Sequence, residues 1–204
     1  MFQNITPITK NIIILNVIVF ILAMLIPQSY QYLAAFFPTS PYFKSWQIIT
    51  HMFMHGGFMH IAFNMLTFAS FGPVLERFLG EKKFVILYFL SGLGAFVLFN
   101  LWEYYQLYQD AQPLIVEGLQ FSDILKGDFE KFPVRLEGNA QNIVNILSTP
   151  MVGASGAIFG VIAAFSLLYP NAEMFIMFIP FPIKAKVLFP ISIIVSLYLG
   201  FSGS

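Results

Sequence analysis

Five apolar stretches alternate with polar breaks along the chain, at about 11–27, 48–75, 84–102, 149–169 and 187–200. Each is near the roughly 20 residues that a helix needs to cross the hydrocarbon core of a bilayer, the first extending into polar flanks to reach it. The connection that ends at Trp46 carries Pro38, Pro41 and several aromatics, a composition suited to a loop lying at the membrane interface. A short charged turn, Glu76-Arg77 through Glu81-Lys82-Lys83, separates the second and third stretches. Residues 103–148 break the pattern. They hold seven acids against Lys126, Lys131 and Arg135, and read as an aqueous loop with room for short amphipathic helices such as 141–147. Residues 171–186 are apolar but interrupted by Pro180 and Pro182, and read as interfacial. The pattern predicts one all-α, polytopic membrane domain over 1–204, with a long outward loop between the third and fourth helices.

Composition sharpens this. The chain is 58% hydrophobic and carries 25 Phe, with only 10% charged residues, whereas a soluble domain uses about 25%. Too little polar surface is available for solubility, and the lipid bilayer is the expected surrounding. A net charge of zero and the lack of a basic patch argue against a nucleic-acid partner. There is no cysteine, which removes disulfides, thiolate nucleophiles and zinc–thiolate sites. The N-terminus lacks the small-residue cleavage pattern of a signal peptide, so the first stretch reads as a retained span. Lys10, Arg77, Lys82, Lys83, Lys184 and Lys186 fall on one side of the predicted topology, and the positive-inside rule places that side, with the N-terminus, in the cytoplasm. The 103–148 loop and the last residue then face outward. A bacterial cell membrane is the expected setting.

The chemistry lies in two of the stretches. Polar groups inside a span are costly and are candidates for function by default. The second stretch contains His51, His55, His60 and Asn64, with His60 and Asn64 one turn apart on a single helical face. The fourth contains Gly153-Ala154-Ser155-Gly156-Ala157-Ile158-Phe159-Gly160. Measured from the predicted span starts, His60 lies roughly 18 Å and Ser155 about 9 Å from the outer face. Two readings of the glycine run stand side by side: a small-residue packing face, or a nucleophilic serine on a crowded helix end. His60 and Asn64 have the same ambiguity, as an interhelical clamp or as neutral donors to a developing oxyanion. His51 and His55, nearer the interface, read as structural. The i, i+4 histidines lack the Glu of a zinc-protease helix, and no carboxylate falls inside a span, so neither a metal nor another cofactor is expected.

These residues together resemble the rhomboid family of intramembrane serine proteases. Gly153-Ala154-Ser155-Gly156 matches the family's G-x-S-G. Thr50-His51, Met54-His55 and Met59-His60 through Asn64 match its spaced histidines and H-x-x-x-N. Glu76-Arg77-Phe78-Leu79-Gly80 resembles the turn that follows. The resemblance covers about residues 45–200. It implies a helical bundle with five of the usual six transmembrane helices present, and an endopeptidase acting on transmembrane segments of other proteins. It implies Ser155 as nucleophile, His60 and Asn64 with the Ser155 backbone N–H as oxyanion donors, and Gly153 as a residue shaping that pocket.

Two departures matter. Trp46-Gln47 stands where the family often has Trp-Arg, so a salt bridge from that position is not expected. The family's general base is a histidine in an Ala-His-x-x-Gly pattern on a sixth helix, and here no histidine follows His60. The sequence therefore reads as a chain that stops before that helix, and is expected to be inactive alone. The alternatives are a non-catalytic rhomboid-like protein that binds transmembrane segments, and a channel or transporter. The second has a polar outer cavity in its favour and no charged pathway through its inner half. Neither substrate nor oligomeric state is readable from the sequence.

Overall fold

A computed structural model describes residues 5–132, 138–174 and 182–202. The chain is an all-α membrane bundle, with nine α-helices among the described residues: α1 (Pro7–Leu25), α2 (Ser29–Leu33), α3 (Gln47–Thr50), α4 (Phe58–Leu79), α5 (Glu81–Val116), α6 (Phe121–Lys126), α7 (Asn139–Ser148), α8 (Ser155–Leu168) and α9 (Ala185–Ser202). Three of them, α1, α4 and α5, have the length and apolarity to cross a membrane, and α8 and α9 are shorter apolar helices. A two-residue antiparallel ladder, Glu173–Met174 with Ile183–Lys184, joins α8 to α9. The interfacial reading of 171–186 falls in part on 175–181, outside the described residues.

Two predicted boundaries are corrected. The second stretch is not one helix from 48 to 75. It is α3, a single 3₁₀ turn over His51–Phe53, an extended link through Met54–Gly57, and only then α4. The Gly56-Gly57 pair marks the break, since glycine adds entropy cost to a helix without adding packing. The third stretch does not end at 102. α5 runs 36 residues, about 54 Å at the helical rise, far beyond a hydrocarbon core of about 30 Å. The region read as an aqueous loop is thus largely folded. Leu107, Ala111 and Leu114 recur along one face of α5, and with Ile124, Phe132, Ala140, Ile143, Leu147 and Phe37 they form a second core. This second core covers the first connection. Ser40 Oγ donates to the Leu147 carbonyl at 2.6 Å, and Ala35 and Met151 exchange backbone hydrogen bonds at 3.0 and 2.7 Å.

The main core lies between α1, α4, α5 and α8, around Met52, Phe68, Leu75, Phe84, Tyr88, Ala157 and Val161. α8 packs most extensively on α5, with Gly156 and Gly160 lying against Ala95 and Ser91. α1 meets α4 at the opposite end. There the carboxylate of Glu76 accepts from the Ile8 N–H at 3.0 Å, the Thr9 N–H at 2.8 Å, the Thr9 hydroxyl at 2.8 Å and the Thr6 hydroxyl. The first backbone N–H groups of a helix have no partner within it, and Pro7 removes one of them. Glu76 thus caps α1 from 67 positions further along the chain than Thr9.

Gln47 explains the missing salt bridge. It is fully buried. Its Oε1 accepts from Lys44 N at 3.0 Å, and its Nε2 donates to Gln31 O at 3.1 Å and Tyr42 O at 3.3 Å. A neutral amide satisfies backbone groups on both sides of the first connection without burying a charge. Replacing Gln47 by Ala is expected to cost about 2–3 kcal/mol, because it orphans several buried backbone groups. Thermal unfolding in detergent measures this, and an unchanged midpoint would refute the strut.

Candidate active site

Three segments build the site. The first is the turn around His51. Its ring Nδ1 lies 2.8 Å from the Gln47 carbonyl, its ring packs on Phe96 with centroids 5.5 Å apart, and its own carbonyl accepts the Gly153 N–H at 2.9 Å. His51 therefore anchors the glycine-rich segment through its backbone. The second is the first turn of α4, which carries His60 and, one turn on, Asn64. The third is Met151–Ala154, an irregular stretch entering α8 at Ser155. Non-helical backbone at membrane depth is tolerated where protein covers it, and Gly153 and Ala154 are buried.

Gly153 has a φ of +118°, a conformation that L side chains rarely adopt. The space beside it is also occupied. A Cβ built there would lie 2.8 Å from His60 Nε2 and 3.6 Å from Ser155 Oγ. The imidazole and the hydroxyl therefore flank one point, and glycine leaves that point open. The depth argument changes accordingly. Both His60 and Ser155 lie at the N-terminal ends of their helices rather than a full 18 Å and 9 Å along them. They meet at the N-terminal ends of α4 and α8, on either side of Gly153.

Hydrogen bonding fixes the chemical form of His60. The Gly56 N–H donates to its Nδ1 at 3.4 Å. A ring nitrogen that accepts carries no proton, so neutral His60 keeps its proton on Nε2, the atom nearest Gly153. Asn64 is buried, and its Nδ2 has no partner among the described residues. Ser155 is the first residue of α8, where backbone N–H groups lack intrahelical acceptors and the helix dipole favours negative charge. Uncommitted donors thus come from His60, Asn64 and the start of α8.

His55, missed as part of the site, packs edge-on against His60 with centroids 5.0 Å apart. It is buried and its Nε2 is unpartnered. It lies in the link before α4, outside the membrane-length helices. Burial pushes its pKa down to about 4. At neutral pH it adds no positive charge. Its spacing of five from His60 gave no hint of contact, because the helix that the spacing assumed is broken between them.

The Rhomboid domain family matches this chain over residues 42–120 and 129–204. "Rhomboid protein 1, mitochondrial" of Saccharomyces cerevisiae is 32% identical over 146 residues, which cover 72% of this chain and 32% of that protein. "Rhomboid protease GlpG" of Klebsiella pneumoniae is 33% identical over 93 residues, 45% of this chain and 34% of the relative. "Putative rhomboid protease YdcA" of Bacillus subtilis is 42% identical over 48 residues, 24% of each chain. These matches span about a third or less of each relative's own length.

Proposed function

Because the chain belongs to the rhomboid family, we propose that it carries the nucleophile and oxyanion pocket of an intramembrane serine endopeptidase whose substrates are transmembrane segments. One observation carries the reading: His60 Nε2 and Ser155 Oγ face the same open point beside Gly153. In the reaction, Ser155 Oγ attacks the scissile carbonyl carbon. Its proton passes to a base and then to the departing amine, and water later releases the acyl group from Ser155. The carbonyl oxygen, negative in the tetrahedral state, is met by His60 Nε2–H, Asn64 Nδ2–H and the Ser155 backbone N–H. Each such donor is worth about 10²–10³ in rate.

His60 in its Nε2–H form is a donor, not a base. His51 is tied to Gln47, His55 packs edge-on against the His60 ring while the point beside Gly153 is flanked by His60 and Ser155, and the sequence has no fourth histidine. We place the base outside these 204 residues, in line with the family's Ala-His-x-x-Gly helix, so that these residues alone do not cleave. The six basic residues at one end of the bundle support a cytoplasmic N-terminus, with the Ser155 end of α8 opening to the outer side.

Purified 204-residue protein mixed with a model transmembrane substrate in detergent is expected to give no product. A protein carrying these residues plus a histidine-bearing further helix is expected to cleave, with Ser155→Ala lowering the rate by about 10³-fold or more. Cleavage by the 204 residues that Ser155→Ala abolishes would refute the placement of the base. Cleavage by the longer protein that survives Ser155→Ala would refute the nucleophile. A longer protein that binds the substrate without cutting it would favour the non-catalytic reading.

A further inference from the structure

α8 and α9 line a second, open-sided cavity, about three turns along α8 from Ser155 and unused by the reaction above. It has a volume of about 350 Å³ and is lined by Ala163, Ser166, Leu167, Pro170, Lys186, Phe189 and Pro190. Its walls are mostly apolar, with two exceptions. Ser166 is 7% exposed, and its hydroxyl is buried with no hydrogen-bond partner among the described residues. A serine inside a helix can satisfy itself on the carbonyl one turn back, so an unpartnered one leaves a donor and acceptor to be met from elsewhere. Lys186 is exposed and forms no ion pair among the described residues. Its neighbour Lys184 faces Glu173 across the short ladder.

The cavity's place in the bundle narrows its ligand. Ser166 is two residues from the end of α8 and Lys186 is the second residue of α9. Lys186 N bonds back to Pro170 O at 3.0 Å. Phe78, at the end of α4, meets Tyr169 with centroids 6.0 Å apart, so this is the end that carries Arg77, Lys82 and Lys83. A cation at the rim, a lone hydroxyl below it and apolar walls deeper in follow the order of groups in a phospholipid: phosphate, ester and acyl chain. Basic pockets between membrane helices recognise anionic headgroups in this way.

We propose that the cavity between α8 and α9 binds one anionic phospholipid of the leaflet at the basic end of the bundle. Lys186 meets the phosphate, Ser166 donates to an ester carbonyl, and Ala163, Leu167 and Phe189 hold the upper acyl chain. Native mass spectrometry of the purified chain, released from vesicles of equal phosphatidylglycerol and phosphatidylcholine, tests this. One phosphatidylglycerol is expected to remain bound in preference to phosphatidylcholine. Lys186→Glu and Lys186→Gln should each cut that preference roughly fivefold, the worth of one lysine near an anionic headgroup. Lys186→Arg should keep it, and Ser166→Ala should weaken retention by a similar factor through one lost hydrogen bond. Circular dichroism confirms that each variant keeps its helices. Equal retention of the two lipids, an undiminished preference in both Lys186 variants, or release of the lipid by inorganic phosphate would each overturn the proposal.

Discussion

Gly160→Leu is expected to unfold the bundle at markedly lower denaturant than the parent chain. At Gly160 a Cβ would overlap the side chain of Ser91, and at Gly156 the Cβ of Ala95. α8 and α5 are thus in backbone-level contact along one seam. Membrane helices associate through close packing rather than hydrophobic exclusion, which makes small residues at such seams hard to replace. Gly160→Ala is milder only in volume: Ser91 Oγ can rotate away, but Ser91 Cβ, 2.3 Å from the added carbon, cannot, so the two helices must part slightly. Leucine brings three more carbons into a seam with no space, and the expected loss is about 3 kcal/mol. Gly94 supplies the control. It lies on the same α5 helix with nothing within 4 Å of an added Cβ, so Gly94→Ala should stabilise by about 0.5–1 kcal/mol through helix propensity. Unfolding in mixed detergent–SDS micelles, followed by circular dichroism, measures both. Equal midpoints for Gly160→Leu and Gly94→Ala would contradict the seam.

A second large loss is expected from Glu76→Ala. Four donors converge on this carboxylate, two from backbone and two from hydroxyls, and it is 3% exposed. Removing it leaves the Ile8 and Thr9 N–H groups unpaired at the start of α1, and hydrogen bonds to a charged group are each worth about 1.5–3 kcal/mol. A net loss of about 3 kcal/mol follows once water replaces part of the set. A double-mutant cycle with Thr9→Val separates this cap from general damage. The two changes should fall short of additivity by at least about 0.5 kcal/mol, whereas strict additivity would show that Thr9 and Glu76 act independently. Gly72 belongs to the same joint, since a Cβ there would lie 2.9 Å from both Thr9 Cγ2 and Oγ1.

Both joints show where sequence reading reaches its limit. The apolar stretches were legible because bilayer thickness sets a length that the eye can count. His60, Asn64 and Ser155 stood out as candidates because their spacing resembles G-x-S-G and H-x-x-x-N; polarity inside apolar segments alone does not separate them from Asn16, Ser91 or Ser166. The break at Gly56-Gly57 was harder, since the residues on both sides are apolar and only the glycine pair interrupts them. It mattered, because it turns His55 toward His60 and moves His60 to the start of α4. The extension of α5 was obscured by its polar composition. Leu107, Ala111 and Leu114 carry the helical period, but Glu103, Gln106, Asp110 and Gln112 around them suggested water. The capping of α1 by Glu76, and the role of Gln47 between Gln31, Tyr42 and Lys44, were beyond reach. Each depends on a chain crossing that no local pattern encodes.

The seam on α5 has a consequence for how the protein is made. Translation delivers α1, α4 and α5 to the membrane well before α8, with the 103–148 segment in between. During that interval the Ser91 and Ala95 face of α5, shaped for the glycines of α8, lies open to lipid. The newborn three-helix intermediate therefore displays an unfilled row of small side chains. The seam closes only when Gly156 and Gly160 of α8 arrive against it.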